Sequence, residues 1–174
     1  MSVRVLGIDP GSRQTGYGII DTDGVHSVHV DSGCIYVKGE GFPQRLGYIF
    51  EQVSELITEY QPAELSIELV FVNKNVDSAL KLGQARGAAI CAAVQAGLAV
   101  HEYTPKAVKS AVVGTGNASK EQMQHMMSML LKLEKGLQAD QADALGIALC
   151  HAHNRDLKGQ IALPARRRSR RRWL

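Results

Sequence analysis

The chain opens on a short apolar, β-branched run, Val3-Arg4-Val5-Leu6-Gly7-Ile8, which predicts a buried strand ending at the turn Asp9-Pro10-Gly11. Gly16 to Ile20 predicts a second strand, closed by Asp21-Thr22-Asp23-Gly24. Val25 to Val37 alternates apolar and polar positions as a third strand does, with Gly33 a candidate bulge. The apolar period then changes. Leu46, Ile49, Phe50, Val53, Leu56 and Ile57 recur three and four apart, the signature of a helix, which Pro62 stops. Leu65-Ser66-Ile67-Glu68 predicts a fourth strand, followed by the polar loop Val72-Asn73-Lys74-Asn75. A long helix is expected from about Ser78 to Ala96, and a last strand from Ala99 to Tyr103, before Pro105. Two more helices follow. One starts at Ser119, where Ser119-Lys120-Glu121-Gln122 fits a capping box, and the other runs from Ala139 to about His151. Three strands in antiparallel meander, then strands alternating with helices, specify an α/β fold: a five-stranded mixed sheet flanked by helices.

Composition narrows the class of protein. At 174 residues the chain fits one domain with a core that needs no staples. Cys34, Cys91 and Cys150 are an odd number without C-x-x-C spacing, which argues against a disulfide framework or a cysteine zinc site and for a reducing compartment. The N-terminus reaches Asp9 too soon for a signal peptide, and the apolar stretch Ala88 to Val100 is broken by Gln95 and too short to cross a bilayer. A cytoplasmic protein with no membrane partner is expected. The net charge of +3 is unevenly placed: six of the 20 basic residues lie in Ala165–Leu174, where there is no acid, so residues 1–164 carry 14 basic against 17 acidic residues. Bulk charge is therefore a weak nucleic-acid signal, and any such surface depends on placement. The tail after Pro164 is too charged to pack and is expected to be disordered.

Four carboxylates stand out, each with an ordinary alternative. Asp9 ends a buried strand, where an Asp before Pro-Gly commonly caps its own turn. Glu68 continues an apolar strand, although an edge glutamate can simply point to water. If the two strands are neighbours, about 4.8 Å apart, the two carboxylates lie side by side and need a cation between them. Asp140 and Asp143 share one face of a helix start, where acids favour the dipole. Asp143 runs into Ala144-Leu145-Gly146-Ile147, a core-facing stretch, which makes it the stronger ligand candidate and Asp140 the stronger pure cap. Four acids on three elements form a hard oxygen set suited to Mg²⁺ or Mn²⁺, and two such ions roughly 3.5–4 Å apart support phosphodiester hydrolysis. His26, His29, His101, His125, His151 and His153 show no H-E-x-x-H pairing and are read as non-catalytic.

The chain resembles the RuvC family. The matching stretches are Leu6-Gly7-Ile8-Asp9-Pro10-Gly11-Ser12-Arg13, Ser66-Ile67-Glu68-Leu69-Val70-Phe71, Asp77-Ser78-Ala79-Leu80-Lys81-Leu82-Gly83-Gln84-Ala85-Arg86-Gly87, Val112-Val113-Gly114-Thr115-Gly116 and Gln138-Ala139-Asp140-Gln141-Ala142-Asp143-Ala144-Leu145, in order up to about His153. The element order is also the ribonuclease H-like layout. The resemblance implies a Holliday junction resolvase: a homodimeric, metal-dependent DNA endonuclease that nicks two strands of a four-way junction symmetrically. It further implies preference for a thymine-containing site, and cooperation with the RuvA and RuvB branch-migration complex in homologous recombination and DNA repair. Asp9, Glu68, Asp140 and Asp143 stand on the family's catalytic and metal positions, which implies two Mg²⁺ ions per site, with Mn²⁺ also supporting activity. The nuclease domain is expected over residues 1–157 and the basic tail over 158–174. One departure is Leu69, where the family usually has a polar residue, commonly Gln; it bears on positioning or sequence preference more than on catalysis.

For DNA, Phe71 reads from its sequence context as a core aromatic, whereas the resemblance implies an aromatic that stacks on unpaired bases at the crossover. Asn73, Lys74 and Asn75 share its loop, and Lys81, Arg86, Lys109 and Lys120 lie in or near the matching segments. Lys120, in a first helical turn where a cation opposes the dipole, fits best if a phosphate sits there. The arginine tail suits either non-specific DNA affinity or solubility. The helix over Ser78–Ala96 is rich in Ala and Gly, as a close-packed dimer helix is and as a helix packed on its own sheet is too. Three other readings stay open at this level. One is a nucleotide-binding kinase or ATPase of the actin and sugar-kinase type, another a junction binder without catalysis, and the third a ribonuclease acting on RNA–DNA hybrids.

Overall fold

The computed structural model describes residues 2–71, 75–134 and 136–161. Five strands form one mixed sheet: β1 (Val3–Asp9), β2 (Gln14–Thr22), β3 (Ser27–Tyr36), β4 (Glu64–Glu68) and β5 (Ala99–Tyr103), in spatial order β3-β2-β1-β4-β5. The first three are antiparallel, and β4 and β5 run parallel to β1. The ribonuclease H-like expectation is met. α1 (Phe42–Tyr60) and α2 (Val76–Gln95) cover one face; α3 (Pro105–Val113), α4 (Lys120–Leu130) and α5 (Ala139–Ile161) cover the other. No described helix is long and apolar enough to cross a membrane.

Because strand side chains alternate, each strand serves two cores. Leu6, Ile8, Ile19, Leu65 and Ile67 pack with Ile49, Val53 and Ile57 of α1 and with Ala85, Ala89, Ala92 and Ala93 of α2. Val5 and Ile20 point the other way, into Leu145, Ile147 and Ala148 of α5, Val108 and Val112 of α3, and Met123 and Met127 of α4. The small residues of α2 thus divide. The four buried alanines pack on the protein's own core, whereas Gly83 and Gly87 face open space.

Several details differ from the sequence reading. The segment after β5 is a helix: Thr104 caps α3 by accepting from the Ala107 N–H at 3.1 Å, and Pro105 fills its first turn. That start signal was present in Thr104-Pro105, but nine residues with a valine-rich face gain their helical stability from packing on α5. Gly33 is not a bulge. It pairs regularly with Tyr17, and the register shifts instead between Ile19 and Ile20, opposite Asp31 and His29. α1 begins at Phe42, four residues before Leu46, the first position of its apolar period, with Pro43 in its first turn. α5 continues to Ile161, so the expected boundary at residue 157 falls inside a helix; residues 162–174 lie outside the described residues.

Candidate active site

Face alternation decides what meets what. On β1, Val5, Gly7 and Asp9 face α5, and on β4 so do Glu64, Ser66 and Glu68, since Leu65 and Ile67 point into the opposite core. The parallel register pairs Ile8 with Ile67, so the next step along each strand sets Asp9 beside Glu68. The N-terminal turns of α5 then bring Asp140 and Asp143 over these strand ends. Three glycines make that approach possible. A Cβ on Gly7 would lie 2.2 Å from the Ala144 carbonyl oxygen, on Gly16 2.0 Å from that of Asp140, and on Gly18 2.7 Å from the Leu145 nitrogen. The helix backbone rests on the sheet where side chains would otherwise stand.

The electrostatics show how closely the acids are gathered. Burial, then the negative charges of Glu68, Asp143 and Asp140, push the Asp9 carboxyl up to about 8, opposed by Lys120. Burial and Asp143 push Glu68 up to about 7, opposed by Lys109. Burial also raises Asp143, with Lys120 lowering it, Asp140 raising it and Lys109 lowering it. A set of half-buried carboxylates that hold one another protonated is a set that a cation would ionise, because opposite charge favours the charged form. All the donors are oxygens, which fits a hard divalent ion. Asp140 is therefore within electrostatic reach of Asp9 as well as in the first turn of α5, so the roles of cap and ligand do not compete.

The other candidates sort by geometry. Lys109 of α3 and Lys120 of α4 are the cations that reach the carboxylates. Arg86 does not face open solvent. Its side chain is only 17% exposed, donating from Nε to the Glu68 carbonyl oxygen at 2.9 Å and from an η-nitrogen to Glu102. It therefore fixes the backbone of the glutamate from behind. Lys81 is exposed on α2, paired with Asp77 at 2.6 Å. Asn75 caps α2, accepting from the Ser78 N–H at 3.1 Å. Phe71 is 63% exposed just past β4, so it is not a core residue. Asn73 and Lys74 lie outside the described residues. The half-buried Leu69 prolongs the β4–β5 pairing by donating its N–H to the Tyr103 carbonyl oxygen at 2.8 Å.

The histidines lie apart from the carboxylates, but two of them are not solitary. Glu64, His101 and His151 converge so that one ligand atom from each lies within 4.8 Å of the others. No H-x-x-H spacing announces this group; it draws on two strands and a helix that are distant in sequence.

A family model described as crossover junction endodeoxyribonuclease RuvC matches residues 5–151. Proteins of that name from Shewanella sp. strains W3-18-1 and MR-4 are 56% and 55% identical over 166 residues, 95% of each chain. The solved structure of Thermus thermophilus RuvC in complex with a Holliday junction substrate superposes with a TM-score of 0.84 at 32% identity, covering 90% of this chain and 96% of that one. A yeast mitochondrial Holliday junction resolvase, 13% identical with a TM-score of 0.60 over 90% of this chain and 85% of its own, shares the fold.

Proposed function

The chain belongs to the RuvC family of crossover junction endodeoxyribonucleases, and from that premise we propose that it is a Holliday junction resolvase, cutting two strands of a four-way junction symmetrically in homologous recombination and repair. The observation that carries this reading is the cluster Asp9, Glu68, Asp140 and Asp143, gathered where β1, β4 and α5 meet, with Asp9, Glu68 and Asp143 held above ordinary carboxylate pKa values by burial and by the neighbouring negative charges. These four would hold two Mg²⁺ ions, or Mn²⁺ in their place. When bound, such ions activate a water and stabilise the leaving oxygen of a phosphodiester.

The chain's own residues then do three things. Lys109 and Lys120, already beside the acids, offset their charge and offer ammonium groups to the scissile phosphate. Arg86 holds the Glu68 backbone, so the glutamate presents one orientation. Phe71 stacks on bases unpaired at the crossover, where each such contact is worth roughly 1–3 kcal/mol. Phe71→Ala is accordingly expected to lower junction cleavage by about 5- to 150-fold. Because the ring is exposed, the melting temperature should not move; a melting curve beside the rate separates the two effects.

We also propose a homodimer built on α2. Val76, Leu80 and Val94, each 62% exposed, form with the open Gly83 and Gly87 an apolar stripe along the face that the core does not use. The two-fold axis would present two carboxylate sites to the two strands of a pseudo-symmetric junction. RuvA and RuvB are the expected branch-migration partners. The nuclease unit is proposed over residues 1–157, a boundary that falls within α5, with the arginine-rich remainder adding salt-sensitive DNA affinity.

The test is a mobile synthetic junction with varied crossover sequence, incubated with Mg²⁺. Paired, ligatable nicks that chelation abolishes support the resolvase. Tight binding without cutting in either Mg²⁺ or Mn²⁺ would make the protein a junction binder and point to Leu69. Neither binding nor cutting would remove the reading altogether.

A further inference from the structure

Midway along α5, three side chains from three elements converge on one point. His151 of α5, 1% exposed, directs Nε2 at Oε2 of Glu64 on β4, in a short contact. His101 of β5 brings its own Nε2 to 3.7 Å from that same oxygen, too far for a hydrogen bond, and the ring makes none with a described residue. The two imidazoles stack with centroids 4.2 Å apart and planes 25° from parallel. A carboxylate–histidine pair alone needs one imidazole; here two aim their Nε2 atoms at one oxygen. We propose that Glu64, His101 and His151 form a second metal site, for a Zn²⁺-class ion, separate from the carboxylate cluster.

Donor chemistry selects the ion. Two imidazole nitrogens and one carboxylate oxygen suit Zn²⁺, Co²⁺, Ni²⁺ or Cu²⁺, whereas an all-carboxylate set suits Mg²⁺ and Mn²⁺. Ligands at about 2.0–2.1 Å around a tetrahedral ion stand roughly 3.3 Å apart, and the three ligand atoms here all lie within 4.8 Å of one another. The His101–Glu64 gap would close by a few tenths of an ångström and the short His151–Glu64 contact would open.

The surroundings support it. Tyr103 Oη lies 2.7 Å from His151 Nδ1, a partner that can take the Nδ1–H when Nε2 binds an ion. Arg155 donates from Nε to Glu64 Oε1 at 3.0 Å, which leaves Oε2 as the single ligating oxygen and keeps the carboxylate in place. The His101 side chain is 32% exposed, which gives an ion a way in from solvent.

Asp140 and His151 are eleven residues apart on α5, roughly 16 Å along the helix, so the two sites are independent in ligands. The ion would act as a clip. It ties α5 to β4, the helix and strand that carry Asp140, Asp143 and Glu68 further along, and to the neighbouring β5.

The experiment uses the full-length chain without an affinity tag, stripped of metal and titrated with Co²⁺ while Mg²⁺ saturates the carboxylates. Four-coordinate Co²⁺ with nitrogen ligands absorbs visible light intensely, and octahedral all-oxygen Co²⁺ only weakly. One equivalent should give the intense band. Zn²⁺ should displace it and raise the melting temperature by several degrees, and Mg²⁺ should do neither. The band should be lost in His101→Phe and in Glu64→Gln, each first shown to be folded by circular dichroism, and retained in Asp9→Asn. Absence of the band in the native chain, or its survival in both His101→Phe and Glu64→Gln, would overturn the assignment and leave the group a hydrogen-bonded lock.

Discussion

Replacing Asp9 with Asn is expected to abolish junction cleavage, by roughly 10³-fold or more, and at the same time to make the metal-free protein more stable. The first effect follows from removing a metal-holding carboxylate whose ions supply several kcal/mol of transition-state stabilisation, each 1.36 kcal/mol being about a factor of ten. The second follows from the carboxyl's environment. Asp9 is raised to about 8, chiefly by burial and then by Glu68, Asp143 and Asp140, while an unfolded Asp titrates near 3.9. Between about pH 4 and pH 8 the native state holds a proton that the unfolded chain has released, so stability falls as pH rises through that window. Asn carries no such penalty. At pH 8 without divalent ions, Asp9→Asn should be the more stable protein by up to roughly 5 kcal/mol, a rise in melting temperature of up to about 10–20 °C, and the difference should vanish near pH 4. Added Mg²⁺ should then stabilise the native sequence more than the variant, because an ion that binds only the folded state adds to its stability. Melting curves across pH, with and without Mg²⁺, check all three statements. A variant less stable than the native chain at pH 8 would mean that Asp9 is not held among uncompensated acids.

The second large effect is expected from the sheet. Gly16→Ala adds one methyl group at a place where a Cβ would stand 2.0 Å from the Asp140 carbonyl oxygen. Backbone cannot rotate aside as a side chain does, so the start of α5 must lift. Overpacking of this kind costs roughly 1–3 kcal/mol. The lift carries Asp140 and Asp143 with it, and a displacement near 1 Å at a catalytic group costs about 100-fold in rate. Cleavage should therefore fall by about two orders of magnitude while junction binding is retained. Gly47→Ala is the matched control. Gly47 lies inside α1 with nothing within 4 Å of its Cβ direction, so the same methyl group should stabilise by roughly 0.5–1 kcal/mol and leave cleavage unchanged. If Gly16→Ala cleaves normally, the close approach of α5 to β2 is not what positions the acids.

Much of this protein is written locally. Short apolar runs bounded by turns, alternating over Val25 to Val37, gave the strands, Leu46 to Ile57 gave α1, and Ser119 with Gln122 makes the capping box expected of it, the hydroxyl accepting from one N–H and the amide oxygen from the other. Such signals occupy a few residues and need nothing distant to act. Of the four carboxylates only Glu68 stands out locally, as an acid continuing an apolar strand; Asp9, Asp140 and Asp143 each have an ordinary role as a cap, and it is the shared metal chemistry and the family resemblance that join the four. Phe71 was harder. An aromatic after a strand reads as core, and only the fold leaves it exposed.

What the tertiary structure alone decided is which faces meet. Asp9 and Asp143 are far apart in the chain, and their approach depends on Gly7, Gly16 and Gly18 all facing one helix, which no single segment declares. Arg86 looked like a surface cation until β4 and β5 placed a carbonyl and a carboxylate beside it. Asn75 looked like part of a DNA loop until the start of α2 claimed its side chain. Glu64, His101 and His151 carry no shared motif, and only the parallel register of β4 with β5, under the middle of α5, sets them around one point. Sequence determines element type through local backbone and periodicity; register and helix docking, which cost long-range chain entropy and are settled by packing, determine the partners each side chain finds.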